Sequence, residues 1–415
     1  MIAVKFFIIL HPSALLVSHM KKPIWIVLPC LLFGADPPLT LEDVLARSRV
    51  SIERLNADAV LAEGRRQVKE VSGILRESPL VSVSAGPRTN SARPSTTDQT
   101  IEIDAPLMLN RVPAHRLASS LDVAAEVFYS AAGLENRLTI QQAFLDAWMA
   151  EQIETIRAED YSQVLSWIEI ARARSESGAD PAFQLELVKG ELLKSHMDLE
   201  EAKRSRAMAW VVLQSLSDLP DAPQSLDYHQ DLNNFGTGGN GIAELESRYR
   251  DGALRRSAIA RQNVEMSQIN LQAAISNSRW SFSTSHTKES DDRITKIGFA
   301  YRFPRLGESS AIKAEQRART ETARRSTELA LADLDIRFTF ALQAIESIID
   351  YPDPPDIEPS LEALTLRLVE GKDQPSEAIP MRRQFLEYRI AKLQRLHFLY
   401  LAHAELLTLT SGNKP

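Results

Sequence analysis

The chain is poor in the residues that carry chemistry and in those that interrupt helices. It holds one cysteine, Cys30, in 415 residues, which excludes an intramolecular disulfide, a thiolate metal cluster and Cys-pair redox work. Glycine is scarce, 16 in all, and Gly178, Gly371 and the run from Gly236 to Gly241 act as punctuation points. Between them lie long stretches rich in Ala, Leu, Glu, Arg and Gln, the composition of extended amphipathic helices rather than βαβ units. Cationic excess is missing too: the formal net charge is −7 and the basic residues are interspersed with acids. A nucleic-acid partner is therefore not expected, because polyanion binding needs clustered Lys and Arg. No window reaches the ~20 apolar residues of a transmembrane helix, so a membrane-embedded form has to be a β-barrel.

Catalytic and metal signatures are also lacking. His397 and His403 stand six apart and do not share a helix face, and no H-E-x-x-H occurs. The Gly236–Gly241 run has no following Lys-Ser/Thr and no preceding strand, so it reads as a linker rather than a phosphate loop. With no nucleophile–base pair or ligand cluster, the chain is not expected to be an enzyme or to hold a cofactor or metal.

What the sequence does have is a leader and a repeat. Residues 1–35 read as a signal peptide, with Lys21-Lys22 ahead of an apolar run from Pro23 to Phe33 that is too short to span a bilayer. Met20 is a candidate true start. Pro29 stands where a lipobox requires a small residue, which argues against lipidation of Cys30.

After the leader, one layout occurs twice: helix, strand pair, long helix, sharp turn, returning helix. In the first copy, residues 36–219, a helix starts at Thr40, an N-cap with Asp43 three residues on, and runs to about Leu75. A hairpin over about 79–105 follows, in which Val81, Val83, Ile101 and Ile103 alternate with polar residues around a loop from Arg88 to Asp98. Residues 113–176 then repeat apolar positions at three- and four-residue spacing, and at 1.5 Å per residue make a helix of roughly 90 to 100 Å. Gly178 supplies a C′ turn, Asp180 an N-cap and Pro181 an N1 for a return helix over 182–217. Residues 220–241 form a linker. In the second copy, residues 242–415, a helix over 242–276 leads to a hairpin at about 279–303. A helix over 308–370, broken near 352–359, and a return helix over 376–410 complete it.

The ordered set resembles the TolC-type outer-membrane efflux channels, and the modest length is nearest the CzcC-like cation-efflux branch. Ile297-Gly298-Phe299-Ala300-Tyr301-Arg302-Phe303-Pro304 is similar to the family's last strand before its helix, and Ala311 to Arg325 to the helix start that follows. Leu366 to Gly371 stands where the family has an aromatic-x-x-Gly turn, with Leu368 in place of Tyr. Leu406 to Gly412 resembles the closing Leu-x-x-x-x-Gly. The resemblance implies a mainly α fold with a small β part, in which four strands per subunit share a twelve-stranded barrel in a homotrimer and long helices form a periplasmic tunnel. It also implies an outer-membrane location in a Gram-negative bacterium and partnership with a periplasmic adaptor and an inner-membrane pump of the RND type, for export of heavy-metal cations or drugs.

Site candidates follow. Asp180 and Asp373 fall at the two tips, where the resemblance implies an acidic pore constriction and the local sequence alone implies helix caps. Gly178 and Gly371 mark the adaptor-docking tips. Glu102 and Asp104 fall on the lumen-facing parity of their strand. Trp280, Phe282, Ile297, Phe299, Tyr301 and Phe303 fall on the lipid-facing or girdle side. The competing function class is an exported, soluble periplasmic coiled-coil scaffold with no channel activity.

Overall fold

The computed structural model describes residues 37–415 except 72–79, 91–92, 108–109, 229–238, 290–291, 302, 304–306, 350–357 and 413–415. The expected signal peptide, Cys30 and Met20 lie outside the described residues. Residues 38–415 form one unit.

Long helices dominate because little in the sequence interrupts them. β1 (Leu39–Thr40) leads into α1 (Leu41–Ala46), whose start is a capping box: Asp43 N–H donates to Thr40 Oγ1 at 3.3 Å and Thr40 N–H donates to Asp43 Oδ2 at 3.0 Å. α2 (Ile52–Val71) is a separate helix, which corrects the single helix expected from Thr40 to Leu75. The break has a partner: Arg49 N–H donates to Leu216 O, Asp218 N–H donates to Arg47 O, and Ser48 bridges Ser217. Backbone groups that a continuous helix would use are taken by the end of another helix.

β2 (Leu80–Asn90) and β3 (Arg93–Leu107) form the first hairpin. Pairing continues to Arg88–Thr96 and Asn90–Arg93 with a register shift between, so the Ser/Thr/Pro-rich stretch expected as a loop is mostly strand. α3 (Val112–Glu176) spans 65 residues, or about 98 Å at 1.5 Å per residue. Ala114, Leu117, Leu121, Ala124 and Phe128 bury one stripe of it. Between Ala131 and Trp148 buried positions come from nearly all sides, since other elements wrap the helix at this waist. α4 (Ala182–Leu216) returns along it, and β4 (Leu226–Asp227) pairs parallel with β1 at the waist. There Tyr400 packs edge to face with Trp148 and Tyr228, Phe144 meets Tyr228 at a tilt, and Glu151 accepts from Arg206 and from Leu226 N–H.

The second half opens with α5 (Gly239–Arg250) and α6 (Ala253–Ser276). Sequence pattern alone suggests one helix from 242 and a linker up to 241; the helix instead starts at Gly239 and breaks at Gly252. A Cβ on Gly252 would stand 2.4 Å from Leu409 O, and Ala253 N–H donates to Ser411 O at 3.0 Å. The end of the last helix is seated in that break. β5 (Trp280–Glu289) and β6 (Asp292–Tyr301) form the second hairpin, followed by α7 (Glu308–Ile349), α8 (Glu358–Val369) and α9 (Pro375–Thr410).

The two hairpins join into one antiparallel sheet of order β2-β3-β5-β6. α3 packs against α2, α4, α6 and α9, and α7 against α6 and α9. No described helix is long and apolar enough to cross a membrane.

Candidate functional site: a two-faced sheet and two clasped tips

Register sorts the sheet into two chemically distinct faces. Trp280 pairs with Leu107 and Tyr301, Phe282 with Ala105 and Phe299, and Thr284 with Ile103 and Ile297. Val81 opposes Ile103 and Val83 opposes Ile101, so one face is apolar across all four strands. It is also bare: Val83 is 73% exposed, Ile297 70% and Phe299 69%. Aromatic rings line its helix-proximal end. Trp280 and Tyr301 lie 5.1 Å apart between centroids, Phe282 and Phe299 5.5 Å, and Tyr301 and Phe303 5.2 Å.

The other face collects short polar groups. Ser82, Glu102, Ser285 and Lys296 occupy one cross-strand row, and Asp104, Ser283 and Gly298 the next. Thr100 and Thr287 hydroxyls meet at 3.2 Å. Glu102 and Asp104 thus share a parity opposite to that of the six apolar and aromatic candidates. Where this sheet meets the helices, Arg279 is anchored by Glu308 at 2.8 Å. A hollow of about 480 Å³ opens among α2, α3, α6 and α7, lined by Glu53, Glu135, Asp333 and Arg337 among others. Burial raises the Glu135 carboxyl above the ordinary range despite Arg337 beside it.

At the far end of the helices the two tips are built alike. Gly178 and Gly371 adopt φ of 74° and 72°, the left-handed conformation that a side chain disfavours and a helix-ending turn requires. Asp180 does not cap α4; Pro181 is the N-cap residue. The Asp180 carboxylate is taken by Arg174, whose Nη2 donates to Oδ1 at 2.8 Å and whose Nε lies 2.8 Å from Oδ2. Asp373 accepts from Arg367 Nη2 at 2.7 Å. Both aspartates are buried, at 6% and 8% exposure, so within the chain each is neutralised by its own arginine rather than presented to solvent.

The same residues stitch the tips together. Arg174 Nη1 donates to Leu368 O at 2.8 Å and Asp373 O at 3.2 Å, and Gln184 Nε2 donates to Gln374 Oε1 and Ser376 Oγ. Further along the bundle, Arg382 is buried between Asp160 of α3 and Glu191 of α4, with its guanidinium 5.8 Å from the Trp167 ring centroid. Burial raises the Asp160 carboxyl; burial also acts on Glu191, but Arg383 and Arg382 outweigh it and hold that carboxyl below its ordinary value. Sequence reasoning missed Arg174, Gln184 and Arg382. The one available signal was a basic residue in the last turn of α3, favourable to the helix dipole in any case. Among the described residues no group of three or more His, Cys, Asp or Glu is placed to hold a metal ion.

No family model matches the sequence, and no curated protein does. Solved structures do match the fold. The outer membrane protein VceC of Vibrio cholerae superimposes with a TM-score of 0.67 at 14% identity, covering 90% of this chain and 97% of that one. The CmeC outer membrane channel of Campylobacter jejuni gives 0.65 at 13%, covering 90% and 86%. A membrane protein of Pseudomonas aeruginosa gives 0.66 at 15%, covering 90% and 89%. The chain therefore has the mainly α, TolC-like fold of outer-membrane channels, with long helices and a four-stranded sheet.

Proposed function

We propose that three copies of this chain form an outer-membrane channel, the passive exit duct of a tripartite efflux system. The observation that carries this reading is the sheet. It has an exposed apolar face, a polar face and two open edges, β2 and β6. An apolar sheet face of this extent belongs in lipid, and lipid tolerates no open strand edge. Pairing β6 of one copy with β2 of the next, around three copies, closes a barrel of twelve strands. Each strand has the roughly ten residues that a tilted spanning strand needs.

The helical part favours the same assembly. α4 leaves Phe183, Leu187, Leu193, Met197, Met208 and Val211 exposed, and α7 leaves Leu329, Ile336 and Phe340 exposed. These faces lie on helices of 35 and 42 residues, about 53 and 63 Å long at 1.5 Å per residue, and a second copy would cover them. In the assembled tunnel Glu102 and Asp104 face the lumen and the aromatic rows face lipid. The tips at Gly178 and Gly371 receive a periplasmic adaptor, through which an inner-membrane pump of the RND type delivers cargo. Heavy-metal cations, as in the CzcC-like branch, and drugs are the cargo classes. The soluble-scaffold alternative leaves the apolar strand face without an occupant.

The test is reconstitution. The full chain is expected to fractionate with detergent-solubilised outer membrane, to behave as a trimer, and to conduct ions in a planar bilayer. Recovery as a soluble periplasmic monomer overturns the proposal.

A further inference from the structure

The hairpin end of the apolar sheet face carries two cations side by side. Lys288 on β5 and Arg293 on β6 are register partners. Counting by twos along the strands, they share the face of His286 and Thr295, Thr284 and Ile297, Phe282 and Phe299, and Trp280 and Tyr301. Both are exposed, and among the described residues neither has an ion pair. Like charges directly opposite on neighbouring strands destabilise a sheet, so this pair is stable where an anion sits between them.

The surroundings fit an anion. Gln99 of β3 is the register partner of Lys288 on the other side and offers amide donors. His286, one step nearer the aromatic rows, has Nδ1 2.9 Å from Thr295 Oγ1. Glu289 and Asp292 are the next register pair toward the turn.

Height identifies the source of the anion. From Trp280 to Lys288 the strand advances about 26 Å. At a tilt near 40° that is roughly 20 Å along a barrel axis, close to the ~25 Å apolar band of a membrane barrel. The aromatic rows lie at the helix-proximal interface, so the cations lie at the headgroups of the opposite, outer leaflet.

We propose that Lys288 and Arg293, with Gln99 beside them, bind the phosphate of a phosphorylated outer-leaflet lipid, one site per subunit. The proposal rests on the transmembrane reading of the sheet. A guanidinium grips phosphate oxygens bidentately and an ammonium adds a point charge, while Ile297, Phe299 and Val83 below them meet the acyl chains of the same molecule. A free phosphate ion gains the first contact but not the second.

The test uses the full-length protein in phosphatidylcholine nanodiscs that carry either bisphosphorylated lipid A or lipid A stripped of both phosphates. Thermal unfolding and lipid retention in native mass spectrometry are read. The phosphorylated lipid is expected to be retained and to raise the unfolding temperature. Lys288→Gln with Arg293→Gln is expected to lose about thirtyfold in affinity, on the scale of two basic residues near an anionic surface. Lys288→Arg with Arg293→Lys is expected to retain binding. Equal retention of both lipids, or an undiminished preference in the double Gln variant, overturns the proposal. So does equal stabilisation by millimolar inorganic phosphate alone, which would assign a free-anion site. A protein that never enters the bilayer overturns the channel reading as well. One that inserts and conducts without phosphate preference overturns this inference only.

Discussion

Arg174 holds both tips of the chain at once: Nη2 donates to Asp180 Oδ1 at 2.8 Å, while Nη1 donates to Leu368 O at 2.8 Å and Asp373 O at 3.2 Å. One guanidinium on α3 thereby satisfies a buried carboxylate of its own turn and two carbonyls of the other. Arg174→Gln would leave Asp180, whose side chain is 3% exposed, without its counter-charge. A loss of about 2 to 3 kcal/mol is expected, most of it the penalty of a stranded carboxylate. Limited proteolysis should show the effect as faster cleavage around residues 177–181, with a smaller change at the waist. Arg174→Gln together with Asp180→Asn should recover much of the loss.

Arg382 offers a sharper partition of charge from packing. Its side chain is 2% exposed, between Asp160 at 4% and Glu191 at 3%. Arg382→Met alone is expected to cost about 3 to 5 kcal/mol, because it strands the buried Asp160 carboxylate beside Glu191, which keeps Arg383. Arg382→Met with Asp160→Leu and Glu191→Leu should return close to the parent stability, since well-packed apolar residues avoid the desolvation penalty altogether. Arg383, 45% exposed at its side chain, can return to water when Glu191 is replaced. Chemical denaturation of the detergent-solubilised protein measures both variants. A triple variant as unstable as the single one would show that geometry rather than charge neutralisation sets the cost.

Local pattern made the strands and long helices legible, and long-range pairing decided what it could not show. The period-two run from Trp280 to Phe303 announces a two-faced strand pair, and Gly178 and Gly371 announce turns, because each signal is written within a few residues. The break at Gly252 depends on Leu409 O and Ser411 O, and the break after Ala46 depends on Ser217 and Asp218. No window around residue 252 or 47 contains those partners. The tip arginines were illegible for the same reason: the carbonyl that Arg174 grips belongs to Leu368, on the other repeat.

His403 should make the helical body acid-sensitive in a window of its own. Burial lowers its pKa from 6.5 to about 4, and the residue is 6% exposed on α9. A folded-state value below the unfolded one means that the folded form resists protonation. The stabilisation is complete above pH ~6.5 and is lost as pH falls toward 4, by up to about 3 kcal/mol per chain. Glu191, whose carboxyl is held below its ordinary value of 4.5, loses its contribution only at more acidic pH. Between pH 6.5 and 5 the decline should therefore belong mainly to His403. His403→Gln should flatten the stability profile across that interval, and an unchanged slope would remove His403 as its cause.

Neighbouring residues on one strand give the most direct test of which way the sheet faces. Phe299 is 69% exposed and paired with Phe282, whereas Ala300 lies on the opposite parity, beside Ser281. With the apolar face in lipid, Phe299→Arg places a guanidinium against acyl chains, at a cost of roughly 2 to 4 kcal/mol near the midplane and less toward the interface. Ala300→Arg places the same group in a water-filled lumen, where it narrows the passage without meeting lipid. Heat-modifiable migration of the proposed trimer should drop for Phe299→Arg and remain for Ala300→Arg, and single-channel conductance should fall for the second variant only through its altered lumen. Equal assembly defects at both positions would count against the faces assigned here, and a defect confined to Ala300→Arg would reverse them. Because the two substitutions introduce the same side chain one residue apart, differences in expression, net charge or strand propensity cannot account for a split between them.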